Sequence, residues 1–492
     1  MLGFLIPVLC LITFSTCDAN PCITKLSFDP LSCQTVSCHY TDPVDLGWFN
    51  ISKDSPFCKD VVHPKSPQEI APYFEFYAKN APKLNQTIDF LHHLDPSIMQ
   101  LQMDPSLPLA IVIHGFQGHQ EPWMLVTKDS LLGSENINVL LALWPGGSDG
   151  GWTHANYFQA TSNVRVMGAI VGYIVQRLSD LRHVDIGKVT LIGHSLGAHV
   201  SSFAGKRLRD GQNQPLLGRI IGLDPAGPLF HHEPDETHLN AGDAKFVHNI
   251  HTCGDEILGF DVPGTLQPMG HVDFYANGGK EQPGCAYLDM VCSHDRAYHL
   301  FNDLNRLKQV PECANTFVGY QCTNGTEWTN GNCFLASTNK CLKAGFDLTA
   351  GQGCSGRYWF DTTKQLAKST GIQFFGCQYL FTMTVSQDTK SEGTMKLKVH
   401  YQDGHATADG DIILWDSETA FGGPLAKIVA APCSQQNPAS IWLQYDRSSI
   451  FSSSQIMISN VNLYMNGNKR FLNAGPLQLD TGKEVEVPLK QQ

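Results

Sequence analysis

The sequence predicts an α/β protein followed by a separate all-β domain. From Leu109 to about Leu300, short apolar strands alternate with helix-like stretches such as 164–181, which is typical of a mostly parallel sheet covered by helices. After Gly371 the chain becomes a series of β-rich runs separated by turn signals, without helical periodicity, and this favours a β-sandwich. The 492 residues exceed one typical core, so two domains are expected.

The β-rich runs of the second domain can be placed individually. They are 379–386, 394–401, 411–415, 440–445, 455–465 and 485–489. Between the two domains, a Gly/Asn/Thr-rich segment carries Cys313, Cys322, Cys333, Cys341 and Cys354, and we expect loops closed by disulfides there. Residues 20 to about 100 are rich in cysteine and proline, and we expect an irregular, disulfide-tied lead-in.

The amino terminus predicts export from the cell. Residues 1–16 are apolar and uncharged apart from the terminal amine, and Cys17 and Ala19 are small residues at the −3 and −1 positions of a signal-peptide cleavage site. We therefore interpret residues 1–19 as a signal peptide and the mature protein as secreted. No later segment has about 18 uninterrupted apolar residues, so no membrane span is expected.

The number of cysteines and the glycosylation sequons also indicate an exported protein. Of 16 cysteines, Cys10 and Cys17 leave with the signal peptide, and the even number that remains predicts an oxidised, bridged protein. Asn50, Asn85 and Asn324 begin Asn-x-Ser/Thr sequons and are candidate glycosylation sites.

The charge balance limits the class of partner. With 46 acidic and 34 basic residues the formal net charge is −12, which argues against a nucleic-acid partner and against a surface that docks strongly to heparin-like polymers or anionic membranes.

The most specific motif is Gly-x-Ser-x-Gly around Ser195. The apolar, β-branched run 189–192 precedes it and a helix-tolerant stretch ending near Gly211 follows it. A serine on a tight strand-to-helix turn needs the small neighbours that Gly193 and Gly197 provide, and it is then exposed at the top of a sheet. Ser195 is therefore the candidate nucleophile; the alternative is an ordinary turn serine.

A serine nucleophile needs a base and an orienting acid, which in α/β-hydrolases follow in the order Ser, acid, His. Asp224 ends the apolar run 218–223, and His294 stands beside Cys292, which a disulfide can fix. The alternatives are an Asp-Pro turn and a structural histidine. The oxyanion hole would use the amides of Leu196, after the nucleophile, and Phe116, in the loop after the strand 109–113.

Several motifs in one order resemble the pancreatic lipase family, which includes lipoprotein-type lipases and secreted phospholipases A1. They are 114–116 (His-Gly-Phe), 144–146 (Trp-Pro-Gly), 193–199, 222–226, 243–247 and 270–275. The resemblance covers nearly all of the mature chain and is strongest from 109 to 300. It implies an α/β-hydrolase catalytic domain over 20–372 and a PLAT-like β-sandwich over 373–492 that docks lipid or a cofactor protein. It also implies the triad Ser195, Asp224 and His294, with Phe116 and Leu196 as oxyanion donors.

The resemblance further implies a structural Ca²⁺ site. The matching positions are Asp235, His238, Asn240 and Asp243; three have side-chain oxygens, and His238 would contribute its backbone carbonyl. The alternative is a solvated acidic loop. Asn240 stands where many members carry a carboxylate.

A second implied feature is the lid, a disulfide loop over the active site. We name Cys285–Cys292 as its disulfide, and only residues 286–291 lie between the cysteines. Six residues cannot form two turns of helix, so we expect an open cleft with room for a polar head group. The neighbouring loop 253–269 also flanks the site and is not shortened.

These observations predict a secreted hydrolase of acyl glycerolipids, with the short lid favouring phospholipid. The first alternative is a triacylglycerol lipase. The second is a non-catalytic lipid-binding or yolk-type protein, although such proteins usually lose the triad. The expected partner is a lipid substrate at a micelle or membrane surface, with a protein cofactor bound through the C-terminal domain.

Overall fold

The structure is a computed structural model. It describes residues 22–25, 35–51, 57, 62–118, 121–151, 153–254, 262–286, 288–307, 317–336, 340–341, 344–350, 353–363, 377–386, 391–402, 412–421, 423–431, 438–449, 454–465, 469–473 and 476–491. The predicted signal peptide lies outside these residues.

The lead-in is more regular than the sequence predicted. It contains a small antiparallel sheet whose strands, in the order β1-β2-β3, are β1 (Cys22–Lys25), β2 (Thr35–Tyr40) and β3 (Gly47–Ile51). Next come strands β4 (Tyr73–Ala78) and β5 (Ala81–Ile88), which join the main sheet of the molecule as an antiparallel edge hairpin. The expectation of a wholly irregular segment was therefore wrong for these stretches.

The main sheet has eleven strands among the described residues. After β4 and β5 the strands are β6 (Leu109–Ile113), β7 (Asn138–Leu143), β8 (Val189–His194), β9 (Arg219–Leu223), β10 (Phe246–His251), β11 (Val272–Ala276), β12 (Gly319–Gln321), β13 (Lys340–Cys341) and β14 (Gly356–Phe360). Their order is β13-β12-β14-β11-β10-β9-β8-β6-β7-β4-β5, and the pairs from β14 to β7 are parallel. Strands β6 to β11 are buried throughout, as parallel strands covered on both faces must be.

Helices cover both faces of this sheet. They are α1 (Pro67–Ile70), α2 (Leu94–Gln100), α3 (Pro122–Ser134), α4 (Pro145–Ser148), α5 (His154–Arg182), α6 (Leu196–Arg207), α7 (Met290–Leu307), α8 (Gly325–Thr329) and α9 (Asn332–Ala336). Short 3-10 turns occur at Ile186–Lys188, Asp235–Thr237, Ala241–Asp243 and Asn277–Gly279. The long helix expected over 164–181 is confirmed as the C-terminal part of α5.

Successive side chains along each strand point to opposite faces of the main sheet, so its core consists of two layers. Ile111 and Leu191 point to the layer that holds α5 and α6, whereas Val112 and Ile192 point to the layer that holds α3 and α7. The helix that begins after Ser195 and the helix that carries His294 therefore lie on opposite faces of one sheet.

The C-terminal region is a pair of antiparallel sheets. The strands are β15 (Cys377–Val385), β16 (Ser391–Tyr401), β17 (Ile412–Phe421), β18 (Gly423–Ala431), β19 (Pro438–Arg447), β20 (Gln455–Met465), β21 (Lys469–Asn473), β22 (Leu477–Asp480), β23 (Glu484–Pro488) and β24 (Lys490–Gln491). One sheet has the order β18-β15-β20-β21-β24 with β22 beside β20, and the other has the order β17-β16-β19-β23. Apolar side chains of both sheets share one core, so the predicted β-sandwich is confirmed; strands β18, β21, β22 and β24 were not predicted.

The two domains meet at a mixed apolar and polar junction. Leu380 and Ile428 of the sandwich pack in one buried cluster with Tyr320 of the α/β region. At the same place, Gln378 donates a hydrogen bond to the carbonyl of Val318 at 2.7 Å and accepts one from the Asp361 amide at 3.1 Å.

Disulfides appear where the sequence placed them. Cys285 is bonded to Cys292, as predicted, and Cys322 to Cys333 within the loop-rich segment. Cys253 is a departure, because its thiol is buried and unbridged. No helix of the described residues is long and apolar enough to span a membrane.

Candidate active site

Ser195 lies on a strained turn between β8 and α6. Its backbone angles are φ 56° and ψ −123°, and its amide donates to the carbonyl of Leu223 at 3.1 Å. Positive φ is uncommon for a residue with a side chain and concentrates at functional sites. The predicted strand–turn–helix context is therefore present, and the serine stands at the amino end of α6.

Three glycines make room for this turn. A Cβ atom on Gly193 would lie 2.2 Å from the carbonyl oxygen of Gly197, and one on Gly197 would lie 2.3 Å from that of Ile113. A Cβ on Gly115 would lie 2.7 Å from the Ser195 Cβ and 3.2 Å from its hydroxyl oxygen. The loop after β6 thus touches the serine directly.

Asp224 and His294 come together as predicted. The His294 Nδ1 lies 2.6 Å from the Asp224 Oδ2, and both side chains are nearly inaccessible to solvent. The other carboxylate oxygen accepts the amides of Thr252 at 2.7 Å and Cys253 at 3.2 Å. The carboxylate is held from two sides, and its bond to Nδ1 leaves the His294 Nε2 as the ring nitrogen available for a proton transfer.

Among the described residues, no hydrogen bond joins Ser195 to His294. The residue before the serine, His194, contacts the base: the two imidazole rings are 4.5 Å apart, and the His194 Nε2 lies 3.3 Å from the His294 carbonyl oxygen. Hydrogen bonds between nucleophile and base are often long when no substrate is bound. Burial, followed by the nearby His294, holds the pKa of His194 well below its usual value, so this neighbouring ring is neutral.

The two predicted oxyanion donors lie on either side of the serine. Leu196 is the first residue of α6, so its amide has no acceptor within the helix. Phe116 follows Gly115, which touches Ser195, and its ring packs edge-on against Tyr157 at 5.3 Å.

Sequence reasoning missed the side chains that hold these loops. The His114 Nε2 accepts a hydrogen bond from the Trp144 amide at 2.9 Å, and the Trp144 indole donates to the His114 carbonyl at 2.9 Å. Trp144 therefore holds both the side chain and the backbone of His114, at the start of the loop that carries Phe116. Both residues belong to motifs that carried the family resemblance, and that was the available signal.

A second buried aspartate–histidine pair lies next to the triad acid. The His251 Nε2 lies 2.9 Å from the Asp273 Oδ1, and its Nδ1 lies 2.7 Å from the Thr265 carbonyl oxygen. Although burial alone would raise it, hydrogen bonds from His251 and its neighbours lower the pKa of Asp273. His251 is followed directly by the two amides that bind Asp224, so this pair fixes the strand end behind the triad.

The four predicted calcium positions cluster, but an ammonium group lies among them. Lys206 Nζ is 2.7 Å from both carboxylate oxygens of Asp243 and 2.8 Å from the His238 carbonyl oxygen. Asn240 directs its amide nitrogen, not its oxygen, to the Asp235 carbonyl at 2.8 Å, and the Asp235 carboxylate is 82% exposed. As arranged, these oxygens receive N–H donors and do not fit Ca²⁺, which requires six to eight oxygen ligands. Calcium stays a prediction.

The lid is as short as the sequence implied. The Cys285 and Cys292 Cα atoms are 5.7 Å apart, and α7 already begins at Met290, so the loop leads directly into the helix that carries His294. Leu288 and Val291 are 42% and 47% exposed. Part of the other flanking loop, 255–261, lies outside the described residues.

The three predicted glycosylation asparagines are all on the surface. Asn50 lies in β3, Asn85 in the edge strand β5, and Asn324 at the start of α8, where its side chain caps the Glu327 amide at 3.0 Å. Their modification stays a prediction.

Comparison with known proteins identifies the family. The model of the lipase family matches residues 50–365, more than half of the chain. The chain is 32% identical to pancreatic lipase-related protein 2 of Myocastor coypus, over 70% of this chain and 73% of that protein. It is 30% identical to human pancreatic lipase-related protein 3, over 77% and 79%, and 34% identical to mouse hepatic triacylglycerol lipase, over 51% and 51%. The chain therefore belongs to the lipase family, as its motifs indicated, and it is a carboxylic ester hydrolase.

Proposed function

We propose that this chain is a secreted hydrolase that cleaves acyl esters of glycerolipids and prefers phospholipids, with Ser195, Asp224 and His294 as its triad. The observation that carries the proposal is the 2.6 Å contact between Asp224 and His294 beside a serine with φ 56°. This arrangement disfavours the non-catalytic alternative, because a lipid-binding protein would not need a strained serine next to a buried Asp–His pair.

The proposed reaction is acyl transfer in two steps. His294 Nε2 removes the hydroxyl proton as Ser195 attacks the ester carbonyl, and Asp224 stabilises the imidazolium. The amides of Phe116 and Leu196 hold the oxyanion, each worth about 3–4 kcal/mol in the transition state. The protonated His294 then gives its proton to the departing alcohol. Water, activated by His294, releases the fatty acid from Ser195.

Phospholipid preference rests on the lid. A six-residue loop with Leu288 and Val291 exposed cannot cover an apolar cleft, so a polar head group could lie beside the disulfide. The C-terminal sandwich would then provide a PLAT-like docking surface for lipid or for a protein cofactor. The names of several relatives, among them hepatic triacylglycerol lipase, favour triacylglycerol as the second candidate substrate.

A substrate panel distinguishes these proposals. Purified protein is given phosphatidylcholine, phosphatidylserine and triacylglycerol carrying the same acyl chains in mixed micelles, and released fatty acid is measured. Faster release from phospholipid is expected, at an acyl ester. Hydrolysis of triacylglycerol alone would replace the phospholipid proposal by the second candidate, and no hydrolysis of any lipid would remove both.

A further inference from the structure

The loop that follows Asp224 surrounds the ammonium group of a lysine from helix α6. Lys206 lies at the end of α6, one turn beyond Ser202, and its Nζ is 2.7 Å from the Ser202 hydroxyl as well as from both Asp243 carboxylate oxygens. With the His238 carbonyl at 2.8 Å, four oxygens surround one ammonium. The Asp243 carboxylate is fully buried and the Lys206 side chain is 19% exposed, so this is a largely desolvated pair.

The remaining groups of the loop are satisfied without a metal. The Asn240 amide nitrogen donates to the Asp235 carbonyl, and its oxygen accepts the Gly242 amide at 2.8 Å. Arg209 adds a second positive charge 3.6 Å from Asp243 and donates to the Gly242 carbonyl. A divalent cation would have to enter beside two positive side chains and displace these donors, and like charges at such distances repel strongly in a buried site.

We propose that the Lys206 ammonium occupies the place of a metal ion in this loop and that the loop is independent of calcium. The ammonium joins two parts of the active site, because α6 begins directly after Ser195, whereas Asp243 lies in the loop that follows Asp224. Helix and loop are in direct contact: a Cβ on Gly205 would lie 2.1 Å from the Asp243 carbonyl oxygen. The role of Lys206 is structural, and this inference does not depend on which ester is cleaved.

The first test uses the unmodified full-length protein. Its Tm should change by no more than about 1 °C when excess EDTA or CaCl2 is added, and Asn240→Ala should be equally insensitive. EDTA sensitivity that calcium reverses, and that disappears in Asn240→Ala, would show calcium bound in this loop and overturn the proposal. Sensitivity that is the same in both proteins would place calcium elsewhere and leave the proposal standing.

The second test removes the ammonium. Lys206→Met should lower Tm by about 5 °C or more, because a buried carboxylate loses its partner. Lys83→Met, an exposed lysine of β5, is the matched control and should leave Tm unchanged. The double variant Lys206→Met/Asn240→Asp replaces two side-chain N–H donors of the loop and leaves only oxygen atoms to bind a cation. CaCl2, but not MgCl2, should then raise the Tm of this variant. An unchanged Tm in Lys206→Met would overturn the proposal; if that variant does not fold, the EDTA test decides.

Discussion

At the residue scale, the positive φ of Ser195 is typical of a nucleophile held on a tight strand-to-helix turn. We predict that Ser195→Ala lowers ester hydrolysis by about 10³-fold or more, because the proposed acyl intermediate forms on the hydroxyl that this change removes. Folding should be preserved, since alanine is smaller and the turn depends on the neighbouring glycines. Fatty-acid release and thermal unfolding measure the two effects, with Ser179→Ala on α5 as the control. Retention of more than about a tenth of the activity would contradict the assignment of the nucleophile.

Gly115 gives a second prediction at the residue scale. In Gly115→Ala the new methyl would lie 2.7 Å from the Ser195 Cβ and 2.9 Å from the His194 carbonyl oxygen, so the loop carrying Phe116 must move away from the serine. A misplacement of about 1 Å can cost about 10²-fold in rate, and we expect a kcat loss of that order. Gly133→Ala on α3 meets no atom within 4 Å and should keep full activity. Equal activity in the two variants would mean that this contact does not position the oxyanion hole.

At the scale of elements, the lid is the feature on which we expect the choice between phospholipid and triacylglycerol to depend. Replacing residues 286–291 with a longer amphipathic segment should lower phospholipid turnover more than triacylglycerol turnover, because the added apolar surface would occupy the room for a head group. The present protein should show activity that rises smoothly through the concentration at which substrate aggregates, whereas a long lid must first be moved. A sharp jump in rate at that concentration would indicate that loop 253–269 is the real gate.

The elements also show what could be predicted from sequence and what could not. The strand before Ser195 and the helix after it were predictable, because a buried parallel strand has a continuous apolar run and the glycine spacing is a local signal. Strand β5 was missed because it lies at an edge, with Asn85 and its neighbours exposed, so its sequence resembles a loop. The Lys206–Asp243 contact spans 37 residues, and nothing local marks it.

At the scale of the whole molecule, the main sheet and the sandwich meet at one junction, and the pH dependence of stability combines a group within that sheet with a group at the junction. His248 lies fully buried in β10, and burial, followed by nearby Arg219, lowers its pKa to about 3. Burial raises the pKa of Asp361, at the domain junction and hydrogen-bonded to Trp328 at 2.9 Å, to about 6. These two shifts act on stability with opposite signs.

Whether each group stabilises or destabilises the protein as pH falls depends on which state, folded or unfolded, binds the proton. Between about pH 6.5 and pH 3 the unfolded chain protonates His248 and the folded protein does not, so stability falls as pH is lowered through this window, by about 1.4 kcal/mol per unit for one such group. His194, whose pKa is also lowered, adds to the loss. Asp361 opposes it between about pH 6 and pH 3.8, because there the folded state holds a proton that the unfolded chain has released. Burial also lowers the pKa of His271 and of His299, the latter to about 4, and raises the pKa of Asp243 and Asp295. The four histidines lose stability from about pH 6.5 downward and outnumber the three carboxyls, so Tm should be lower at pH 5 than at pH 7.5.

Two variants separate these contributions in thermal unfolding measured across that range. His248→Gln should flatten the fall in Tm between pH 6.5 and pH 5, although it lowers Tm at neutral pH by disturbing a packed core. Asp361→Asn should make the same fall steeper, since the opposing carboxyl is removed while an amide oxygen can still accept from the Trp328 indole. A steeper fall in His248→Gln, or a flatter one in Asp361→Asn, would show that these two buried groups do not set the acid sensitivity of the protein.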